Sequence, residues 1–221
     1  MLAAANGDYP VYYPKEGWAE QNPEEWWSAV CGAVRQVIEE ASVAPEEIAG
    51  VGIDGQSWSA IAIDRNGHVL TNTPIWMDTR AQSICDRLNE EIGAEAIFEV
   101  AGNSLQPSYA TAKILWYKEN LPEVYAKIDK ILQSNSFIAF KLTGAVSQDL
   151  SQGYGLHCFD MRTGKWNEAM CEKLGIPVEF LPEIVPCDHV VGTVTKKLQR
   201  NADLQRGLLL WQEVWMQPAD C

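Results

Sequence analysis

Residues 51–80, VGIDGQSWSAIAIDRNGHVLTNTPIWMDTR, constrain the fold more than any other stretch of this chain. A short apolar run ends at Gly55-Gln56-Ser57, and the chain then alternates through Trp58, Ala60, Ala62 and Asp64 toward Arg65-Asn66-Gly67. Asn and Gly tolerate the positive φ of a tight hairpin turn, so the spacing predicts a strand, an Asn-Gly turn and a return strand over residues 68–70. After Pro74 come Trp76-Met77-Asp78-Thr79-Arg80, an aromatic, an acid and a base just ahead of a helix. Polar and aromatic groups gathered at strand ends can build a small-molecule site. The competing reading makes Trp58 and Trp76 core residues and Asp78 with Arg80 a local ion pair.

The flanking segments supply helices to cover such a sheet. Asn22 is a good N-cap, Pro23 suits the first helical position, and Glu24 and Glu25 favour the positive end of the dipole. Trp26, Val30, Val34, Val37 and Ile38 then fall on one face at helical spacing. A buried strand is expected over 48–53, a helix over 81–92 with Ile84, Leu88 and Ile92 inward, a loop over 102–107 and a helix over 108–120. Another helix starts at Pro122, a strand covers 130–133, and a helix covers 134–142 and stops at Gly144. The polar, glycine-bearing run 147–153 reads as a candidate ligand loop, 167–174 as a helix and 191–194 as a strand. Residues 1–5 read as the last half of a strand whose beginning is missing. The pattern is α/β, without internal repeats.

Composition narrows the partners. A net charge of −13 over 221 residues argues against nucleic acid or an anionic membrane as the main partner, because both need basic patches. A phosphorylated ligand stays possible, held by backbone amides or a metal. Nine tryptophans give weight to a carbohydrate ligand, since aromatic faces stack on sugar rings. Six scattered cysteines without a C-x-x-C pair and three histidines are poor material for zinc. Scattered thiols, no signal peptide and no apolar run of spanning length predict a soluble cytoplasmic protein.

Several segments, taken in order, resemble the N-terminal half of the FGGY carbohydrate kinases, and within them the xylulokinase-like branch. They are Trp18-Ala19-Glu20-Gln21-Asn22-Pro23 with Trp26-Trp27, then Gly52-Ile53-Asp54-Gly55-Gln56, then Ile75-Trp76-Met77-Asp78-Thr79-Arg80. Gly102-Asn103 with Pro107, Lys113-Ile114-Leu115-Trp116 and Asp149-Leu150-Ser151 follow. The resemblance spans residues 1–195 and implies an incomplete ribonuclease-H-like domain of the actin/hexokinase type. It implies ATP-dependent phosphorylation of a small-molecule sugar, a ketopentose such as xylulose or a related polyol, with Mg2+ in the intact enzyme. By position it implies substrate contacts at Gln56, Ser57 and Trp58, at Ser108 and Tyr109, and at Asp78, with Arg80 beside it. For Asp78 and Arg80, a pair pinning strand to helix is the equal alternative. Lys113 and Trp116 belong to a family signature and are expected to be structural. Xylulokinases commonly carry Met-His where this chain has Ser57-Trp58.

Two family elements have no counterpart in the sequence: the opening Asp-x-Gly-Thr strand and turn that contacts phosphates and magnesium, and the Gly-Gly-x-Asp turn that carries the catalytic base. The resemblance therefore implies an inactive sugar-binding part, with a non-catalytic sugar-binding module as the alternative. Residues 196–221 are unlike the family and read as an out-of-frame tail, disordered or loosely packed. Between Trp211 and Gln217, codons read one frame over permit Ala-Gly-Gly-Leu-Asp-Ala, the form of the missing turn, with the aspartate forced by Trp215 and Met216.

Overall fold

The structure is a computed structural model that describes residues 1–44 and 47–194 and the backbone of 209–212. Strand β1 (Glu20–Gln21) leads into helix α1 (Pro23–Ala41), and β2 (Gly50–Ile53) and β3 (Ile61–Ile63) carry the chain into the hairpin. After β4 (Thr73–Pro74), helix α2 (Gln82–Leu88) widens into a π-helical turn (Asn89–Gly93) and continues as α3 (Ala94–Ala101). Helices α4 (Ala110–Asn120) and α5 (Pro122–Tyr125) precede β5 (Lys130–Leu132) and α6 (Ser134–Thr143). Then come β6 (Ser147–Asp149), α7 (Leu150–Gly153), β7 (Phe159–Asp160), β8 (Lys165–Trp166), α8 (Glu168–Leu174), β9 (Glu183–Val185), β10 (Val190–Thr193) and β11 (Leu209–Gln212).

Local chemistry explains the boundaries. The Asn22 side chain accepts the Glu24 N–H at 3.0 Å, capping α1 as its sequence predicts. Gly144 closes α6 in the left-handed region at φ 81°, its N–H returning to the Phe140 carbonyl. In the hairpin, the Asp64 N–H donates to the His68 carbonyl and the Leu70 N–H to the Ala62 carbonyl. Gly67 turns the chain at φ 79°, and a Cβ there would sit 2.5 Å from Phe140 Cζ. Gly67→Ala is therefore expected to cost about 1–2 kcal/mol, from left-handed strain plus displacement of the Phe140 ring, read as a lowered urea midpoint at unchanged slope.

Strand β3 divides the hydrophobic interior. It pairs antiparallel with β5, Ile61 opposite Leu132 and Ile63 opposite Lys130. Successive side chains point to opposite faces. Ile61 and Ile63 enter one core with Trp26, Trp27, Phe137 and Leu142, whereas Ala60 and Ala62 enter the other with Ile97, Ile114, Leu115 and Leu156. The structure buries both faces of this strand, and the alanines of the second lie in one core with Ile114, Leu115 and Tyr117 of α4.

Three expectations need correction. Residues 1–5 form no strand, and Met1 and Leu2 are exposed. The run 147–153 is no open loop: it forms β6 and α7, and Gln148, Asp149 and Gln152 are buried. Asp149 is held there by Asn135, Gln148 and Ser151, so its polar sequence satisfies itself internally. Part of the tail is paired: β11 runs parallel to β2 and antiparallel to β10, in a mixed sheet of order β10-β11-β2. The expectation for 196–208 and 213–221 lies outside the described residues. Among the described residues no helix is long and apolar enough to cross a membrane.

Candidate functional site: two loops around an aromatic stack

The turn after β2 carries Gln56, Ser57 and Trp58, and each is fixed by a distant side chain. Gln56 Nε2 donates to Gln21 Oε1 at 2.8 Å, and Ser134 Oγ donates to the Gln56 carbonyl at 2.6 Å. Gln152 Nε2 donates to Ser57 Oγ at 3.0 Å, and the Trp58 N–H donates to Gln133 Oε1 at 2.9 Å. Gln133 Nε2 in turn donates to the Gln152 carbonyl. The turn passes so close to the start of α6 that a Cβ on Gly55 would lie 2.4 Å from Ser134 Oγ, so only glycine fits.

Trp58 is held at φ 70°, a left-handed conformation that costs a residue with a side chain of order 1 kcal/mol or more. Its indole stacks on the Tyr109 ring with centroids 4.5 Å apart and an interplanar angle of 29°. Tyr154 meets both rings edge-on at 6.3 Å. His157 meets the Tyr109 ring edge-on at 5.0 Å. Burial pushes the His157 imidazole down to about 4, so it is neutral at physiological pH. Burial also raises the Tyr109 phenol.

The second loop, Ser108 and Tyr109, meets the first through Lys113 on α4. Lys113 is 0% exposed, and its ammonium donates to the Trp58 carbonyl at 2.7 Å and the Ser108 carbonyl at 2.6 Å. The structure thus brings together Gln56, Ser57, Trp58, Ser108 and Tyr109. Asp78 is placed differently. It is 1% exposed and accepts from the Ala19 N–H at 2.6 Å and from Arg80 Nε at 2.9 Å. Arg80 reaches Glu20 at 2.8 Å and lies 3.9 Å from the centroid of the Trp18 ring. Asp78 and Arg80 thus form a buried ion pair tied to Ala19 and Glu20, away from the two loops. A cavity of about 400 Å³ beside it is lined by Lys15, Trp18, Glu20, Arg80, Trp116 and Asn120, none of them from the aromatic stack. Trp76, a core residue in the competing reading of the sequence, is 51% exposed.

Sequence reasoning missed Gln133, Gln152 and Tyr154 as builders of this site. Gln152 lies inside the polar run singled out as a ligand loop. Gln133 and Tyr154 carry no local signal, because their partners are far away in the chain.

Comparisons with known proteins agree with this architecture. Residues 1–209 match the family model for the N-terminal domain of the FGGY family of carbohydrate kinases. A xylulose kinase of Bacillus subtilis is 27% identical over 220 residues, covering 100% of this chain and 43% of that protein. A glycerol kinase of Thermococcus gammatolerans is 31% identical over 202 residues, covering 90% of this chain and 41% of its own length. The solved xylulose kinase of Rhodospirillum rubrum superposes with a TM-score of 0.89 at 24% identity, covering 93% of this chain and 42% of its own. The fold is therefore the ribonuclease-H-like α/β fold of the actin/hexokinase type. The chain spans about two fifths of the length of the relatives it matches.

Proposed function

The chain belongs to the FGGY family of carbohydrate kinases, and from that premise we propose that it is the sugar-binding part of an ATP-dependent kinase acting on a ketopentose such as xylulose. The observation that carries this reading is the Trp58–Tyr109 stack, set between two loops whose backbones are tied by Lys113. Aromatic faces accept the C–H face of a sugar, and the side chains of Gln56 and Ser57 on the same turn supply polar groups for its hydroxyls. A five-carbon chain covers more of such a wall than glycerol does, which favours xylulose over glycerol between the two activities named among the relatives.

Phosphoryl transfer depends on positioning and charge stabilisation more than on covalent chemistry by the protein. Bound ATP would supply the phosphoryl group, with Mg2+ compensating its charge. Among the described residues no group of three or more His, Cys, Asp or Glu is placed to hold a metal ion. The share of the reaction proposed for this chain is to hold and orient the sugar. Its frame contains no Gly-Gly-x-Asp turn, so we expect the isolated chain to bind sugar without turnover.

Calorimetric titration of the purified chain with xylulose and with glycerol, followed by an assay with ATP and Mg2+, tests this. Saturable xylulose binding, weaker glycerol binding and no sugar phosphate are expected. Saturation by neither ligand would overturn the sugar site, and robust turnover would overturn the assignment of binding alone.

A further inference from the structure

We propose that Lys113 is a positioning residue for the sugar site, its buried ammonium clamping the Trp58 and Ser108 loops into one register. The proposal rests on reading those loops as the sugar site. It departs from a purely structural lysine, which would fill space in the core or pair with a carboxylate. Lys113 is buried in the core, yet among the described residues the hydrogen bonds of its ammonium go to two backbone carbonyls, one from each loop, and not to a carboxylate. The residue lies on α4, where Ala110 to Tyr117 are all buried. A lone ammonium at such a place is strongly unfavourable unless its protons are used. Here they hold Trp58 where φ is 70° and the unrestrained backbone would relax. The clamp closes the same gap that the Trp58–Tyr109 stack spans from the side-chain direction.

The charged groups around the ammonium also make the clamp sensitive to pH. Burial depresses Lys113 to about 7; Asp78 favours its charged form and Arg80 opposes it. Three neighbouring groups keep one protonation state between pH 6 and 8: His157 is pushed down to about 4, and Tyr109 and Tyr117 are raised by burial. Below about pH 7 the ammonium grips both carbonyls; above it the neutral amine donates less strongly. Stability runs the other way. The folded chain binds fewer protons at Lys113 than the unfolded chain between about 7 and 10.5, so folding stability from this group rises with pH across that window. A lysine that only supports the fold would not weaken sugar binding as the fold gains stability.

The test is NMR on the labelled 221-residue chain, following the Lys113 13Cε and the backbone 13C′ signals of Trp58 and Ser108 from pH 5.5 to 8.5, with and without xylulose. The three signals are expected to titrate with one midpoint. The xylulose dissociation constant is expected to rise about tenfold across it, the effect of weakening charge-assisted hydrogen bonds. Lys113→Met should abolish the shared titration and bind xylulose about tenfold more weakly at pH 6, and Lys113→Arg should restore binding without the pH dependence. Independent midpoints at the two carbonyls, or a pH-independent xylulose affinity in the wild-type chain, would overturn the clamp. A shared titration with no xylulose-induced shift at either loop would overturn the sugar-site reading on which the clamp's role depends.

Discussion

Asp78→Ala is expected to destabilise the chain by about 3–5 kcal/mol, a large part of the total stability of a domain this size. Asp78 is buried and serves three donors at once: the Ala19 N–H, the Arg80 N–H and Arg80 Nε. Its removal orphans the Ala19 amide and leaves Arg80, whose side chain is almost wholly buried, with Glu20 as its remaining charged partner. The indole rings of Trp18 and Trp116, 3.9 and 4.9 Å from the guanidinium, cannot replace a carboxylate. Asp78→Asn keeps an acceptor for Ala19 but loses the charge, so its cost should fall between wild type and Asp78→Ala. Urea denaturation of the three chains checks this order. The Asn variant also separates the two roles the sequence leaves open. If Asp78 pins strand to helix, xylulose affinity survives in Asp78→Asn where the chain is folded; if it touches the sugar, affinity collapses while the fold persists.

The parts of this architecture legible in the sequence are those decided within a few residues. The Asn22 cap, the Asn66-Gly67 turn and the Gly144 stop each depend on a side chain, or a missing Cβ, acting on the adjacent backbone. The candidate residues at 56–58 and 108–109 come from family resemblance, and the structure does bring them together. What holds them was not legible. Gln133 lies 75 positions from Trp58, and Gln152 lies 95 from Ser57, so neither contact leaves a trace in spacing. The run 147–153 misleads for a related reason. Polarity usually marks a loop, but Asp149 gathers enough donors to bury its charge inside the fold. In β11, strand pairing to β2 and β10 decides the conformation, where periodicity along Leu209–Gln212 indicates nothing.

Trp58→Ala is expected to carry the largest functional effect. It removes the ring that stacks on Tyr109, and with it the wall proposed for the sugar, while leaving an alanine at a positive φ. Loss of an aromatic contact of this kind is worth about 1–3 kcal/mol, or about 5- to 150-fold in affinity. Trp58 is only partly buried, so the fold should lose less than it would from a core tryptophan. Trp58→Phe keeps an aromatic face and should retain most of the binding.

The most direct measurement is a xylulose titration of the wild-type, Trp58→Ala and Trp58→Phe chains at pH 6, followed through the Tyr109 ring signals and the backbone amide resonance at position 58. Saturable shifts at Tyr109 in the wild-type and Trp58→Phe chains, with affinity lost in a folded Trp58→Ala chain, are the predicted result. Equal xylulose affinity in all three chains, or shifts confined to residues outside the Trp58 and Ser108 loops, would contradict the sugar site.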